Sequence, residues 1–393
     1  MSRPVLVFGN GASGRAAAEL VRSQGLAVEV LDDGGNPAAA GAALSDCEFA
    51  IVSPGVSLAH PWVVGSKRRG IRLVSEMQYG AEELKRRGWR LFAVTGSKGK
   101  SSVVKLLAEA FGGVACGNYG LPVCEVANRD GRGEAQSARR IAVVEVSSFM
   151  METTDLARDA FECAAVLNLQ EDHLDRHGSV EVYHALKRRL LDCTRNPVLG
   201  GGPVADGDAA LWRGSYFDNP VLAGNAAAAV RMMRAGGLGD ERIRASFLAF
   251  RPLPHRFELV AELGGVSYID DSKATSIAAL RAGVRMCAPR KVRLIAGGLA
   301  KGDDPRDAIS DLTFGVQKVY TIGNCAGSFL AAWSGTVECE LCGTLEKAVE
   351  SARRDAASGE IVLLSPGTAS FDQFKSFEER GEVFARLVKK EKE

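Results

Sequence analysis

Leu91-Phe92-Ala93-Val94-Thr95-Gly96-Ser97-Lys98-Gly99-Lys100-Ser101-Ser102 decides how this chain is read: an apolar run, a turn with two glycines, then a Gly-Lys-Ser step into a helical pattern. Glycines at 96 and 99 let backbone N–H groups turn inward around phosphate oxygens. Lys100 brings a point charge to the outer phosphates, and the Ser101 hydroxyl can ligate Mg²⁺ where a helix begins. Thr95, Ser97, Lys98 and Ser102 complete the loop that would hold ATP. A Walker A loop has glycine five residues before its Gly-Lys pair, whereas Val94 stands there in this chain. The compressed form T-G-x-x-G-K-S narrows the field, because most P-loop kinases and GTPases keep the longer loop.

Upstream of the loop, short β-branched runs alternate with helical patterns. Val5 to Phe8, Ala27 to Leu31, Phe49 to Val52 and Ile71 to Val74 read as buried parallel strands, with helices near Arg15 to Gln24, Pro61 to Arg69 and Met77 to Arg87. The first turn, Gly9-Asn10-Gly11-Ala12-Ser13-Gly14, fits G-x-G-x-x-G, and Asp32 ends the second strand where a dinucleotide fold puts its ribose carboxylate. Taken alone, that pattern says NAD. Downstream, strands are expected at Trp89 to Thr95, Ile141 to Val144 and Cys163 to Leu169, and the pattern weakens into loop between Leu191 and Asn225, through Gly200 to Pro203 and Asp206 to Asp208. From Arg251 the alternation returns, with strands at Val266 to Ile269, Val292 to Ala296, Lys318 to Ile322, Val337 to Cys339 and Ile361 to Leu364, and a charged helix after Phe377. The fold class is α/β with three domains in series: a Rossmann-like domain at 1–88, a central P-loop ATPase-type domain at 89–252 and a second Rossmann-like domain at 253–393.

Composition excludes several classes of function. The chain of 393 residues is 46% hydrophobic and 25% charged, as soluble globular proteins are, and its net charge of +1 supplies no field for holding nucleic acid. No apolar run is long enough to span a membrane. Met1-Ser2-Arg3-Pro4 runs straight into a strand with no signal region, and nine cysteines lack framework spacing, so reduced thiols and a cytoplasmic location are expected; a monomer is the expected state. Cys339-Glu340-Leu341-Cys342 reads as two half-buried thiols on a strand rather than a zinc pair.

Polar groups gather where the strands end. Glu145 closes an apolar strand, the position from which many P-loop enzymes set a carboxylate against the nucleotide's Mg²⁺. Asn168 to His177 packs three carboxylates and two imidazoles into ten residues after another buried strand, a candidate metal or phosphate site. Lys187 stands beside Arg188 and Arg189 on a helical run, and by spacing alone belongs to a solvated basic face. Asp270 to Thr275 and Ser365 to Phe374 each follow a strand, so that two polar turns share one sheet edge and can bind a small polar substrate between them.

Thr95 to Ser102, Glu145 to Phe149, Glu171-Asp172-His173, Leu253 to Glu258, Asp271 to Thr275 and Ser365 to Phe377 together resemble the ATP-dependent Mur ligases, specifically their D-glutamate-adding branch. The compressed loop is shared across that family and the folylpolyglutamate synthases. Leu253-Pro-His-Arg-Phe-Glu258 and Asp271-Ser-Lys-Ala-Thr275 are more specific. The resemblance implies small-molecule substrates (a UDP-sugar, ATP and D-glutamate) and work on peptidoglycan precursors. It redirects the first loop from NAD to the UDP-sugar, with Gly11, Ala12, Ser13, Gly14, Asp32, Ser53, Pro54, Gly55 and Asn118 as contacts. It implies two Mg²⁺ ions held by Ser101, Glu145, His173 and Lys187, the last carbamylated, which reverses the surface reading of that lysine. Asn225, Arg256 and Asp271 are implied nucleotide contacts. His255 and Asp271 match the catalytic cleft with Lys100, Glu145, His173 and Lys187, and Lys273, Thr275, Lys301, Ser370 and Phe377 match the D-glutamate pocket. The chain departs from the family pattern at Gly224 and Ala228, where histidine and asparagine are usual around Asn225.

Overall fold

The computed structural model describes residues 3–32, 47–135, 137, 139–202, 204–205 and 207–390. Among these, three sheets follow one another along the chain. The first is built from β1 (Val5–Phe8), β2 (Val28–Leu31), β3 (Ala50–Val52) and β4 (Leu73–Ser75) in the order β2-β1-β3-β4, all parallel. The second contains β5 (Arg90–Thr95), β6 (Val114–Gly117), β7 (Ile141–Glu145), β8 (Cys163–Val166) and β9 (Pro197–Leu199) in the order β6-β7-β5-β8-β9, again parallel. The third adds β10 (Glu258–Leu263), β11 (Val266–Asp270), β12 (Val292–Gly297), β13 (Val316–Ile322), β14 (Glu338–Gly343) and β15 (Ile361–Leu364) in the order β10-β11-β15-β12-β13-β14. Only β10 runs antiparallel to its neighbour in that sheet.

The central strands of each sheet are apolar because helices cover both faces; β1, β7, β8 and β15 are buried along their whole length. Edge strands escape that rule, and three of them went unread in the sequence. β10 is largely exposed, and Gly264 and Gly265 join it to β11 as a two-residue turn with φ of 58° and 77°. β6 and β9 are short edges of the second sheet. The stretch expected as loop after Leu191 also carries a 3₁₀ turn at Arg189–Cys193 and a helix at Ala209–Trp212, while Pro203 and Asp206 lie outside the described residues. Cys339 and Cys342 both sit on β14, three positions apart, and therefore pack on opposite faces.

The chain packs as two compact units, one of Met1–Phe217 with Leu222–Ala249 and one of Asp218–Val221 with Phe250–Glu393. The first unit holds the first two sheets, and one apolar core runs through it from Val5 to Cys193. Helices Ala12–Ser23 and Glu76–Arg86 join them by packing on helix Val123–Gly131. Gly80 sits at this contact, where a Cβ would stand 2.6 Å from the Cys124 nitrogen. Helix Val123–Gly131 begins after Pro122 with no cap from its own end. Glu76 reaches over from the neighbouring helix instead, its Oε1 accepting from the Cys124 N–H at 2.7 Å.

Glu76 is fully buried and its Oε2 has no hydrogen-bond partner, so burial pushes its carboxyl up to about 7. The Cys116 and Cys124 thiols facing it are held up by the same burial. An acid that ionises near 4.5 when unfolded and near 7 when folded contributes stability that is complete below pH 4.5 and lost as pH rises through 7. Glu76→Gln should remove that slope. Denaturant unfolding at pH 5 and pH 8 should show the wild type losing roughly 3 kcal/mol relative to the variant; parallel pH profiles for the two proteins would refute the assignment.

Candidate active site

The phosphate loop leaves the middle strand of the second sheet. β5 lies between β7 and β8, so its carboxyl end opens into the crevice where open parallel sheets bind ligands. The Thr95 hydroxyl donates to the Val146 carbonyl at 2.7 Å and anchors the strand end. Gly99, with φ of 83°, caps helix Lys100–Phe111, and a Cβ there would stand 2.0 Å from Asn225 Nδ2. Lys100 folds back into the loop, its Nζ donating to the carbonyls of Gly96 at 2.8 Å and Ser97 at 3.2 Å.

The segment after β8 holds the loop's outer side. Asn168 Oδ1 accepts from the Lys98 N–H at 2.8 Å, and its Nδ2 donates to the Lys98 carbonyl at 2.8 Å and to Asn225 Oδ1 at 3.3 Å. Ser97 donates through its N–H to the Asn168 carbonyl and pairs through its hydroxyl with Gln170 and with Tyr183 Oη at 3.2 Å. Asn168 and Tyr183 were not singled out from sequence. The available signal was the polar run that starts at Asn168 directly behind a buried strand.

Lys187 corrects the surface reading made from its spacing. Its residue is 2% exposed, and its Nζ donates to the Gly96 carbonyl at 3.0 Å and the Thr95 hydroxyl at 3.4 Å, lying 4.7 Å from the centre of the Tyr183 ring. Arg188 and Arg189 do flank it, but the helix turns this one side chain inward. Burial, and then the charge of Lys100, push its ammonium down to about 7, so a large fraction of it is a neutral amine near neutral pH.

Glu145 ends β7 beside Val94. Its Oε1 accepts from Asn118 Nδ2 at 2.8 Å, while its Oε2 is buried without a partner. A buried, unpartnered carboxylate oxygen facing a phosphate loop fits a divalent cation, and with the Ser101 hydroxyl it supplies the hard oxygen donors Mg²⁺ prefers. His173 has a left-handed backbone, φ of 53°, and a largely exposed ring packed on Phe149 at 5.0 Å and on Tyr183 at 6.1 Å. Tyr183 therefore touches both His173 and Lys187. Arg176, paired through two bonds with Glu152, donates to the Val56 carbonyl at 2.8 Å and ties this segment to the Ser53-Pro54-Gly55 turn.

In the first sheet, Gly9 follows β1 and Ser53 follows the neighbouring β3. A Cβ on Gly14 would stand 1.8 Å from the Gly9 carbonyl, which is why helix Ala12–Ser23 can start so close to the strand. The helix begins at Gly11 with no side-chain cap, leaving the Ala12, Ser13 and Gly14 N–H groups for an anion. The Ser53 hydroxyl, buried and unpartnered, lies against the same turn. Asp32 follows β2 and is exposed.

The remaining residues belong to the second unit. Asp271 is half-exposed as a residue, yet both carboxyl oxygens are engaged, accepting from Ser365 Oγ at 3.0 Å and from the Phe257 N–H at 3.2 Å, and burial pushes it up to about 7. His255, with φ of 60°, meets Asp270 Oδ2 through Nδ1 at 2.7 Å, and its carbonyl accepts the Lys273 N–H. Lys273 Nζ lies 4.0 Å from the Phe377 ring centre; burial, then the charge of Arg256, hold it below the usual ammonium range. The turn carrying Lys301 is bridged to that of Ser370 through Leu299 and Ala369. The expected ATP contacts thus divide, Thr95 to Ser102 and Asn225 in the first unit, Arg256 and Asp271 in the second.

Residues 94–198 match the Mur ligase middle domain and residues 255–368 the Mur ligase glutamate ligase domain. The chain belongs to the Mur ligase family. Relatives named UDP-N-acetylmuramoylalanine–D-glutamate ligase are 34% identical in Acidobacterium capsulatum and 35% identical in Chromobacterium violaceum, covering 98% of this chain and 96% and 97% of theirs. Among solved structures, UDP-N-acetylmuramate-alanine ligase MurC of Thermotoga maritima matches with a TM-score of 0.57 at 13% identity, over 98% of this chain and 99% of that one. MurF ligase of the same organism, in complex with ADP, matches at 0.56 and 15%, over 98% and 96%. These two share the fold. Among the described residues, no helix is long and apolar enough to cross a membrane.

Asn168→Ala should loosen the loop without unfolding the sheet. Losing two bonds to the Lys98 backbone corresponds to about 1–2 kcal/mol, a roughly tenfold weaker ATP affinity by calorimetry; unchanged affinity would show that the loop stands without this clamp.

Proposed function

We propose that this chain is an ADP-forming ligase that joins D-glutamate to UDP-N-acetylmuramoyl-L-alanine through an acyl phosphate, acting as a cytoplasmic monomer in peptidoglycan-precursor synthesis. Whole-chain likeness to ligases of that name supports it. The observation that carries it is the placement of Lys100 and a buried Lys187 on one carbonyl of the phosphate loop, beside the open oxygen of Glu145. The working division is 1–88 for the UDP-sugar, 89–252 for ATP and 253–393 for the amino acid.

In this reading the N–H groups after Gly11 and the Ser53 hydroxyl hold the UDP diphosphate, and Asp32, Pro54, Gly55 and Asn118 complete that site. The terminal carboxylate of the sugar peptide attacks the γ-phosphorus in line, forming an acyl phosphate and releasing ADP. Lys100 spreads the charge that builds on the transferred phosphoryl group. Mg²⁺, when bound, neutralises the phosphates, and Ser101, Glu145, His173 and carbamylated Lys187 are the residues that would hold it. The D-glutamate amine then attacks the acyl carbon, an amide forms and phosphate leaves. Lys301 and Lys273 attract the amino acid's carboxylates, Thr275, Ser370 and the Phe377 end of the pocket orient them, and His255 and Asp271 line the cleft.

A neutral Lys187 amine can attack CO₂, losing a proton and becoming an anionic carbamate, which a charged ammonium cannot do. Its depressed basicity favours that chemistry at neutral pH. Protein equilibrated with ¹³C-bicarbonate should show one carbamate carbon resonance that Lys187→Arg lacks; a resonance that survives the substitution would exclude this lysine.

Phosphate release measured with UDP-N-acetylmuramoyl-L-alanine should require D-glutamate and be absent with L-glutamate. Lys100→Ala should reduce turnover by roughly 10²–10³-fold while leaving UDP-sugar affinity unchanged. A variant that still releases phosphate at the wild-type rate would overturn the reading.

A further inference from the structure

Helix Phe377–Lys389 carries a charged side chain that the mechanism above does not use. Arg380 is 0% exposed, among the largest fully buried side chains of the protein. Among the described residues, no carboxylate is ion-paired with its guanidinium; four carbonyl and hydroxyl contacts hold it instead, with Asp372 and Asp270 exerting attraction from farther off. Nε donates to Ser272 Oγ at 2.9 Å, Nη2 to the carbonyls of Ser272 at 2.9 Å and Thr368 at 3.2 Å, and Nη1 to the Ala369 carbonyl at 3.3 Å. Ser272 Oγ passes its own proton on to the Phe377 carbonyl at 2.8 Å. Gly298 packs against the same group: a Cβ there would stand 3.2 Å from Nη1 and 2.4 Å from the Ala369 carbonyl.

Each of these contacts lies next to a residue of the amino-acid pocket. Ser272 adjoins Lys273 and precedes Thr275, Gly298 starts the turn that carries Lys301, Thr368 and Ala369 lead into Ser370, and Phe377 opens Arg380's own helix. We propose that Arg380 is the positioning residue of the amino-acid pocket, a buried guanidinium that fixes the spacing of the four segments supplying its binding groups. The proposal rests on the pocket assignment made under Proposed function. A planar fork with five N–H donors can satisfy carbonyls on several segments at once, which an ammonium on a flexible stem cannot do in the same geometry. Retaining a buried cation destabilises the fold unless its donors find acceptors, and here four of the five do, on three backbone carbonyls and one hydroxyl whose positions matter to the pocket.

Arg380→Met and Arg380→Lys, compared by steady-state kinetics on the full-length enzyme, test this. Wild type is first screened with D-glutamate and the other amino acids, and KM is read for the one it joins. A wild type that joins a different amino acid overturns the D-glutamate reading while Arg380 is still tested on that substrate. The expected result for Arg380→Met is a KM for the amino acid raised at least tenfold, with KM for ATP and for the UDP-sugar within twofold of wild type. Arg380→Lys should fall between. A merely structural role would lower kcat through loss of active protein and leave the amino-acid KM where it was, and that pattern, or a parallel rise in all three KM values, would overturn the proposal. Should Arg380→Met fail to fold, Ser272→Ala removes one acceptor and leaves the guanidinium in place; an amino-acid KM raised by about threefold supports the assignment, and an unchanged one refutes it.

Discussion

One carbonyl oxygen organises the phosphate loop. Gly96 O accepts from Lys100 at 2.8 Å and from Lys187 at 3.0 Å, so the two amines stand less than about 6 Å apart. Two unit charges at that separation repel by roughly 3 kcal/mol at an effective dielectric of 20. The conflict resolves unequally because the surroundings are unequal. Lys100 sits at the mouth of the loop and is half-buried, whereas Lys187 is enclosed beneath it against Tyr183. Lys187 is therefore the one whose ammonium is pushed down, because an apolar stem ending in a neutral amine is less costly in the interior than one ending in an ammonium.

The rest of the first unit keeps that arrangement in place. β5 must be central for the loop to have neighbours on both sides, β7 delivering Glu145 and the segment after β8 delivering Asn168. Asn168 in turn holds Asn225, whose amide fills the space that a side chain on Gly99 would take. Asn225 is committed to the loop, and Gly224 and Ala228 beside it in the helix bring no polar side-chain group.

Much of this was legible in the sequence, for definite reasons. Strand centres covered on both faces must be apolar, so β1, β5, β7, β8, β11, β12 and β15 announced themselves, and Glu145 at the end of one, Asp271 directly after another and Ser370 in the turn after the last fell at the carboxyl edge. Edge strands β6, β9 and β10 obey no such rule and went unread. Lys187 was opaque for a different reason: a helix with Arg188 and Arg189 beside it looks basic and solvated, and periodicity does not reveal that one position points at a carbonyl 91 residues earlier in the chain. Asn168 was hidden by its company, one polar residue in a run of them, its role defined by a loop 70 positions away. Resemblance to a family located Lys187, and the structure supplies the physical reason why that lysine differs from its neighbours.

The two units handle buried positive charge in opposite ways, and side-chain chemistry explains the difference. An amine can discard its charge: burial and a like-charged neighbour bring Lys187 down to about 7, within reach of neutrality. A guanidinium cannot. Burial lowers Arg380 only to about 10, so it stays charged at neutral pH, and its cost has to be met by acceptors. Those acceptors are the carbonyls and hydroxyl of the turns around the second unit's polar cleft. A reactive amine suits a position whose chemistry must change, and a permanent cation suits one whose geometry must not. In this chain the first lies under the phosphate loop and the second lies where the turns around Ser272, Thr368 and Ala369 converge.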